Sequence, residues 1–526
     1  MKRSKPIPPK LPPLIERYLS EDSSLKDFYS YGPNLAGLHR AASNRTFLSS
    51  SRRTIVEVLQ AQAAESQCTS ERTLKNIERL SEEDVYTVVT GHQLCIYGGP
   101  MFFPYKILSA IKLAKQLEDK GIKTVPVYWM ASEDHDFEEV NHIHIKEDKI
   151  TWERDSGGPV GAMMLDGIQS FQEELRQIFQ NDPIRIATLK RLETIYAPDK
   201  NLAQATMDLV HWLFGEMGIV VVDASDKRLK ALFAPLMRLE LEESFSVDAV
   251  ETVTSSLNEM GYEGQVTARD VNLFWMEGNV RERIVRDQGG FATSDGSKTW
   301  TAESLYELLA DEPQKFSPNV VLRPLYQECI LPNLAYIGGP GELSYWLQLK
   351  GVFDAARVSF PALVLRDMAV ILDTKAKKRM DQLGLTSMDV YGDHDALLKE
   401  IVRKIGSHEF IVDNRLAQVE GLLLEIEQDL LAFDATLAES ARGEKAKVLK
   451  RLEALRKKIL RADKRANEDA ARRLKEFLST TFPNSAPQER VLNWLAFSHS
   501  ESNELFFSEL LDAFDPLEAK LKVLTA

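Results

Sequence analysis

Two polar segments of this sequence carry residue types that could do chemistry. One is Thr90-Gly91-His92-Gln93, and the other is Ser132-Glu133-Asp134-His135-Asp136. Imidazole and carboxylate groups act as general acids and bases, and carboxylates also bind ammonium groups. The second segment is therefore interpreted as a substrate or nucleotide site, with His135 and either Asp134 or Asp136 as the contacting groups. A charged loop at the surface is the simpler alternative.

The histidines that follow form an incomplete metal-site pattern. His142 and His144 lie two residues apart, so on a strand they would face the same side, and His135 could join them. No His-Glu-x-x-His pattern is present. A metal-dependent hydrolase built on these three histidines is kept as an alternative, but we predict no metal in the protein.

Two glycine loops could bind phosphate through backbone N–H groups. They read Gly98-Gly99-Pro100 and Gly338-Gly339-Pro340, and each precedes a helical pattern. Helix N-termini bind anions, and Lys106 lies near the start of the first of these helices. Neither the P-loop pattern nor Gly-x-Gly-x-x-Gly is present, so ordinary turns are an equally good interpretation.

Two arginines and a cysteine complete the set of candidate groups. Arg323 and Arg366 each follow an apolar run and could hold a carboxylate or phosphate through paired hydrogen bonds, or could form surface salt bridges. Cys95 is close to His92 in sequence, but a buried structural cysteine is the better interpretation. The chain has three cysteines and no Cys-x-x-Cys pair, which predicts a reducing, cytoplasmic location.

The elements that must position these groups alternate between strand and helix. Helical patterns at 104–117 and 343–352 lie among the predicted strands. Apolar runs predict strands at 85–89, 125–130, 219–223, 320–324, 334–337 and 362–365. This alternation predicts an α/β fold with a Rossmann-like, doubly wound parallel sheet. Ligands bind at the carboxyl ends of such strands, so the polar segments should converge along one edge.

The remaining regions predict three further parts. Residues 227 to about 316 read irregularly and are interpreted as a subdomain inserted into a core that spans 1–410, including an N-terminal arm. Residues 411–480 have apolar side chains spaced alternately three and four apart, which predicts an antiparallel α-helical coiled-coil hairpin with its turn near Gly443. Such an arm favours a homodimer. A helical segment at 481–526 should pack on the core.

Composition excludes some classes of function. The net charge of −14 argues against nucleic acid as a partner, because phosphate binding needs a positive surface. No run of eighteen apolar residues is present, so we expect no membrane contact through a spanning helix.

Taken together, these blocks resemble the BshC family, the cysteine-adding family of bacillithiol biosynthesis. The resemblance extends in order over roughly residues 85 to 495. It is carried by Val88-Val89-Thr90-Gly91-His92-Gln93, Gly98-Gly99-Pro100, Pro126-Val127-Tyr128-Trp129, Glu133-Asp134-His135-Asp136-Phe137, Asn141-His142, Ser317-Pro318-Asn319-Val320, Leu322-Arg323-Pro324, Tyr336-Ile337-Gly338-Gly339-Pro340 with Glu342, and Pro487-Gln488-Glu489-Arg490-Val491-Leu492-Asn493.

The resemblance implies a core related to nucleotidyl-transferring synthetases and a helical arm that pairs two subunits. It also implies a ligase that joins the carboxylate of L-cysteine to the amine of glucosaminyl-malate in the last step of bacillithiol biosynthesis. A free carboxylate does not acylate an amine unaided, so ATP or another adenine nucleotide is expected as the activating cofactor.

Under this hypothesis the candidate residues fall into three groups. The expected catalytic residues are Asp134, His135 and Asp136. The expected substrate-binding residues are Arg323, Arg366, Asn141 and Glu342. The expected cofactor-binding residues are His92, Gln93, Gly98, Gly99, Lys106, Gly338 and Gly339. The non-enzymatic alternative is a nucleotide-binding scaffold or regulatory protein.

Overall fold

A computed structural model describes residues 1–155, 157–405, 408–497 and 502–525. The chain divides into two units. The first contains Met1, residues 6–369 and residues 489–522, and the second contains residues 2–5, 370–488 and 523–526. Residues 489–522 thus belong with the core, whereas the second unit begins earlier in the chain than the helical hairpin itself.

The described strands and helices are as follows. The strands are β1 (Lys2–Arg3), β2 (Tyr86–His92), β3 (Thr124–Met130), β4 (His142–Ile145), β5 (Asp148–Thr151), β6 (Val220–Asp223), β7 (Leu273–Glu277), β8 (Val280–Asp287), β9 (Gly290–Thr293), β10 (Thr299–Thr301), β11 (Phe316–Pro318), β12 (Asn333–Gly338), β13 (Ala362–Leu365), β14 (Met368–Leu372) and β15 (Leu521–Thr525). The helices are α1 (Pro13–Leu19), α2 (Leu35–Asn44), α3 (Ser49–Glu65), α4 (Glu71–Arg79), α5 (Phe102–Glu118), α6 (Phe137–Val140), α7 (Ile168–Phe179), α8 (Pro183–Ile195), α9 (Leu202–Phe214), α10 (Lys227–Glu243), α11 (Phe245–Glu259), α12 (Ala302–Asp311), α13 (Arg323–Ile330), α14 (Pro340–Gln348), α15 (Lys350–Ala356), α16 (Thr374–Gln382), α17 (His394–Ile405), α18 (His408–Phe433), α19 (Ala435–Thr481), α20 (Gln488–Val491) and α21 (Asn503–Ala513).

A five-stranded parallel sheet forms the centre of the first unit. Its strand order is β13-β12-β2-β3-β6, and all four neighbouring pairs are parallel. The strands are mostly apolar because helices cover both faces, as in β3, where every residue is buried. The predicted Rossmann-like α/β core is confirmed.

One face of this sheet packs against α5 and α2. Val88 and Ile337 from the sheet lie in one fully buried cluster with Ala110, Leu113 and Leu117 of α5. Each of the valine, isoleucine and leucine side chains contributes roughly 1.5–3 kcal/mol when removed from water. This packing fixes β2, the central strand, and therefore fixes the polar segment at its carboxyl end.

The region predicted as an insertion forms a second sheet. This sheet is antiparallel, with the order β10-β9-β8-β7-β11, and α10, α11 and α12 accompany it. Arg281 pairs with Met276 and Arg283 pairs with Phe274 across β8 and β7. Because side chains alternate along a strand, Arg281 and Arg283 lie on the same face of this sheet.

The prediction of a strand at 320–324 is wrong. The nearest strand, β11, ends at Pro318, and Asn319 then turns the chain by accepting hydrogen bonds from the Val321 and Leu322 N–H groups. Helix α13 begins at Arg323, with Pro324 in its first turn, where a missing N–H costs little. The single helix predicted at 343–352 is likewise two helices, α14 and α15.

In the second unit, α18 and α19 form the predicted antiparallel hairpin. Glu427 pairs with Arg442 and Lys445, and Asp413 pairs with Arg456, so opposite charges meet along the two helices. The turn lies at Asp434, not near Gly443, because the Asp434 side chain accepts from the Thr436 and Leu437 N–H groups and caps α19. Gly443 lies within α19, where a glycine costs only about 1 kcal/mol.

Among the helices of the described residues, none is both long enough and apolar enough to cross a bilayer.

Candidate active site

A cavity of about 620 Å³ lies at the carboxyl edge of the parallel sheet. The ends of β2, β3, β6 and β12 line it together with the inserted antiparallel sheet. The lining residues are Gly91, His92, Gln93, Trp129, Met130, Ala131, Ser132, Glu133, Asp134, His135, Ala224, Thr267, Arg269, Phe274, Arg281, Arg283, Pro318, Asn319, Val320, Arg323, Tyr326, Tyr336, Glu342 and Tyr345. Both polar segments singled out in the sequence thus meet at one edge, as the parallel-sheet rule predicts.

Glu342 presents a carboxylate to this cavity from the start of α14. Its oxygens accept hydrogen bonds from the Lys106 ammonium at 2.7 Å, the Tyr336 hydroxyl at 2.8 Å and the Gly339 N–H at 2.9 Å. Burial alone would raise the pKa of Glu342, but the Lys106 charge and these hydrogen bonds hold it below its usual value. Glu342 is therefore an ionised carboxylate whose position is fixed by three donors.

Lys106 acts from beneath the cavity and does not line it. Its ammonium is buried and donates to the Gly91 carbonyl as well as to Glu342. The structure thus places Lys106 beside a carboxylate, and the expected direct contact with a cofactor has no geometric support.

His92 is a buried, neutral imidazole. Its Nδ1 lies 2.7 Å from the Gln93 carbonyl, so Nδ1–H donates there and Nε2 is left as an acceptor. Burial, followed by the nearby Lys106 charge, lowers the pKa of His92 to about 4. His92 is therefore uncharged at neutral pH and offers no cationic contact to a phosphate group.

Gln93 links two carboxylates at the rim. Its Nε2 donates to Asp134 at 2.9 Å and to Glu139 at 2.6 Å. The other Asp134 oxygen accepts from the His135 backbone N–H at 2.8 Å. Asp134 lines the cavity with about a third of its side chain exposed, so it is held in place and still open to solvent.

His135 is hydrogen-bonded to an arginine that the sequence analysis did not identify as a site residue. Arg281 Nη1 donates to His135 Nδ1 at 2.8 Å, so the neutral ring carries its proton on Nε2. The Arg281 guanidinium also stacks 3.8 Å above the Phe274 ring centre. Nδ1, the His135 nitrogen that could accept a proton, is therefore already hydrogen-bonded to Arg281.

Glu133 and Lys230 join the two sheets below the cavity. Lys230 is completely buried, and its ammonium lies 2.7 Å from Glu133 and 2.8 Å from the Phe316 carbonyl. Ser317 also donates to Glu133 at 2.8 Å. This pair was missed because Lys230 lies within an apparently ordinary amphipathic helix, 97 positions from Glu133.

Arg323 offers a guanidinium that no carboxylate of the described chain neutralises within 4.0 Å. Its Nη1 donates to Gln327 at 3.2 Å, whereas its buried Nη2 has no hydrogen-bond partner among the described residues. The rings of Trp129, Tyr336 and Trp346 lie 5.6–5.9 Å from the guanidinium carbon. A cation held among aromatic rings with one free N–H edge suits an anionic ligand.

Arg269 and Arg283 also line the cavity and were missed. The signal that could have identified Arg283 is the alternation Arg281-Glu282-Arg283-Ile284, which places two arginines on the same face of one strand. Short, highly charged antiparallel strands lack the apolar runs on which the strand predictions depended.

The first glycine loop does not face the cavity. The Gly98 and Gly99 N–H groups donate within the loop, to the Cys95 and Ile96 carbonyls, and the Gly99 carbonyl accepts from Asn493 at 2.6 Å. The expected phosphate cradle at Gly98 and Gly99 is therefore not formed, because its N–H groups are already bonded.

Several other predicted site residues lie outside the cavity lining. Arg366 is buried against Glu489 at 2.7 Å, and the Gly338 carbonyl accepts from its N–H. The Gly339 N–H donates to the Glu342 carboxylate. Asp136 caps α6 and lines a shallower depression with Gln93 and Glu139. Asn141 contacts His142 at 3.1 Å.

The three histidines proposed for a metal do not form a site. His142 and His144 are neighbours on β4, with ring centres 5.6 Å apart, whereas His135 is bonded to Arg281. Across the ranges that the structure describes, no group of three His, Cys, Asp or Glu residues could hold a metal ion. The hydrolase alternative gains no support.

Cys95 has the environment of a structural thiol. It is buried, and burial raises its pKa to about 12. A thiol of this kind is not a nucleophile at neutral pH.

Comparison with known proteins identifies the family. Residues 3–367 match the family model described as Bacillithiol biosynthesis BshC, N-terminal Rossmann-like domain, and residues 369–526 match its C-terminal coiled-coil domain. A Flavobacterium johnsoniae protein named "Putative cysteine ligase BshC" is 36% identical over 517 residues, which cover 97% of each chain. A protein of the same name from Christiangramia forsetii is 35% identical over 528 residues, covering 98% of this chain and 96% of the relative. The chain therefore belongs to the BshC family of bacillithiol biosynthesis.

Proposed function

We propose that this chain is a ligase that joins the carboxylate of L-cysteine to the amine of glucosaminyl-malate. The names of its relatives support the class of reaction. The observation that carries the proposal is the charge distribution of the cavity. An ionised carboxylate, Glu342, and a guanidinium without a carboxylate partner, Arg323, line the same space. An amino acid and a dicarboxylate-bearing acceptor would each find a counter-charge there.

Glu342 is the proposed contact for the cysteine ammonium. Its three donors, Lys106, Tyr336 and Gly339, fix both oxygens and keep the group ionised. Because the partners of Glu342 are fixed, the ammonium position is set before substrate arrives.

Arg323 is the proposed contact for a malate carboxylate. Its unpartnered Nη2 supplies a buried donor, and a carboxylate that accepts from it would remove the cost of that unsatisfied N–H, about 1–3 kcal/mol. We withdraw Arg366 from this role because Glu489 already neutralises it.

Asp134 is the proposed acceptor of the amine proton. When the amine nitrogen attacks the cysteine carbonyl carbon, a C–N bond forms, the leaving group departs and the nitrogen loses a proton. Asp134 is the predicted catalytic residue that lines the cavity, retains solvent access and, among the described residues, has no hydrogen bond to an arginine. His135 Nδ1 is already bonded to Arg281, and Asp136 lies outside the cavity.

A nucleoside triphosphate would supply the leaving group that a free carboxylate lacks. The Gly98, Gly99 and Gly339 N–H groups and the buried Lys106 ammonium already donate within the protein, so they are poor candidates for holding it. The guanidinium groups of the cavity fit phosphate by charge and geometry, so phosphate contacts are assigned to arginine side chains.

Complementation tests the proposed function in cells. A strain that lacks its own cysteine-adding enzyme should regain bacillithiol when it expresses this chain, and Asp134→Asn at equal protein level should not restore it. The control is Asp136→Asn, which we expect to restore the thiol. A thiol pool without bacillithiol, despite abundant wild-type protein, would refute the ligase and favour the scaffold alternative.

We also propose that a second copy of the chain covers the hairpin. The α18–α19 hairpin leaves several large apolar side chains exposed, and two helices alone cannot bury them. These are Leu422, Leu424, Ile426, Leu431, Phe433, Leu437 and Leu455. Light scattering should give twice the chain mass for the wild type and the chain mass for Leu422→Glu/Leu424→Glu. A monomeric wild type at micromolar concentration would contradict this assembly.

A further inference from the structure

The inserted region brings three guanidinium groups to the cavity: those of Arg281 and Arg283 on β8, and that of Arg269 in the loop before β7. Arg281 is engaged by His135, Ser317 and the Phe274 ring. Arg269 and Arg283 have no carboxylate within 4.0 Å anywhere in the described parts of the chain. Two positive charges of this wall are thus left without an internal counter-charge.

Arg283 also carries an unsatisfied buried donor. Its Nε is shielded from solvent and has no hydrogen-bond partner among the described residues. A charged N–H in that position costs at least about 1–3 kcal/mol unless an acceptor arrives with a ligand. Its pairing with Phe274 places Arg283 on the same face of the sheet as Arg281, which already reaches the cavity.

The carboxylates that line the cavity do not compensate these charges. Glu133 is paired with Lys230, Glu342 is paired with Lys106, and Asp134 accepts from Gln93. Each of these acids therefore has its own donor, and none lies within salt-bridge distance of Arg269 or Arg283. Arg269 is exposed and solvated, so the shielded Arg283 Nε is the donor that calls for an acceptor from a bound molecule.

We propose that Arg269 and Arg283 form an oxyanion subsite separate from Arg323. It takes a phosphate or carboxylate group of one substrate, while Arg323 holds another anionic group. Arginine suits both chemistries because its planar fork matches two oxygens at once. The cavity geometry alone supports the presence of the subsite. The proposed function is needed only to identify the molecule that carries the oxyanion.

Calorimetric titration of the full chain tests the subsite without requiring turnover. The two probes are tripolyphosphate and L-malate, which represent the phosphate and the carboxylate source. Arg283→Gln and the double variant Arg269→Gln/Arg283→Gln should weaken binding of at least one probe by roughly tenfold to a hundredfold, as expected for a lost charged hydrogen bond. Loss confined to tripolyphosphate assigns the subsite to phosphate, and loss confined to L-malate assigns it to carboxylate.

Arg238→Gln is the matched control, because it removes the same charge from an exposed position on α10 that pairs with Glu242. It should bind both probes like the wild type. Arg283→Lys should show intermediate binding, since it keeps the charge but loses the fork, and thermal melting checks that each variant is folded.

The proposal is overturned if the double variant binds both probes as tightly as the wild type, or if the wild type binds neither. It is also overturned if Arg238→Gln weakens binding as much as Arg283→Gln, because the effect would then be one of overall charge. An absence of amide product would refute the proposed ligase and leave the binding result intact.

Discussion

The two Gly-Gly-Pro loops have similar sequences but different conformations and different roles. In the first loop, Gly99 has φ +60° and ψ −145°, and its carbonyl accepts from Asn493 at 2.6 Å. In the second, Gly339 has φ −76°, and its N–H donates to Glu342 at 2.9 Å. The first loop is a turn closed by the C-terminal segment, whereas the second fixes a carboxylate in the cavity.

The residue two positions after the proline also differs between the loops. That residue is Phe102 after the first loop and Glu342 after the second. Phe102 packs against the His92 ring, with centres 4.9 Å apart, and Glu342 reaches the cavity and pairs with Lys106. The shared Gly-Gly-Pro sequence therefore does not fix one turn conformation, and only the second loop is followed by a side chain that reaches the cavity.

The largest effect is expected from Glu342→Gln in the second loop. Loss of the contact between this carboxylate and the cysteine ammonium should cost roughly 2–5 kcal/mol of binding, so kcat/KM for cysteine should fall by about a hundredfold or more. Most of the loss should appear as a higher KM for cysteine, measured by product formation. Tyr336→Phe removes only one hydrogen bond to the same carboxylate and should cost about tenfold or less. A Glu342→Gln enzyme within twofold of wild type would exclude this carboxylate from substrate binding.

Because His92, beside the first loop, is buried and neutral, we expect the folding stability to fall at acidic pH. Its pKa is about 4 in the folded chain and about 6.5 when unfolded, so the unfolded state binds the proton first as pH falls. The stability contributed by neutral His92 is present above pH 6.5 and lost as pH falls to 4, with a total of about 3 kcal/mol. Urea unfolding at pH 7 and pH 4 should show a smaller loss for His92→Gln. Equal losses in both proteins would contradict the buried, neutral assignment.

A matched pair of alanine substitutions should separate the two loops by stability. A Cβ on Gly99 would lie 2.5 Å from the Cys95 Cβ in a conformation that only glycine adopts readily, so Gly99→Ala should cost at least about 2 kcal/mol. A Cβ on Gly339 would meet nothing closer than 3.4 Å, so Gly339→Ala should cost less than about 1 kcal/mol. Thermal melting measures both. Similar melting temperatures for the two variants would contradict the difference in glycine requirement between the two loops.

The parallel core could be predicted because its strands are continuous apolar runs. Val125 to Met130 is such a run, and the polar segment that follows it lies at the cavity. The site was predicted less completely. Arg269, Arg283 and Lys230 belong to a region of short charged strands and an amphipathic helix, where no local pattern distinguishes a cavity residue from a surface one.

Long-range partners explain the remaining errors. The Gly98 and Gly99 N–H groups are bonded locally to the Cys95 and Ile96 carbonyls, but the Gly99 carbonyl accepts from Asn493, 394 positions away. Arg366 is removed from the site by Glu489, 123 positions away. The turn of the hairpin was misplaced because Gly443 was taken as the helix breaker, whereas the Asp434 side chain provides a cap.

The central claim is that the cavity at the carboxyl edge of the parallel sheet forms the amide bond. The most direct measurement is the mass of the product made by purified chain from L-cysteine, glucosaminyl-malate and ATP, compared between wild type and Arg323→Gln. We predict that wild type forms the cysteinyl amide only when ATP is present and that folded Arg323→Gln forms at least a hundredfold less at limiting glucosaminyl-malate, since a buried charged contact is lost. Product formation by Arg323→Gln at the wild-type rate, or no product from the wild type, would contradict the claim.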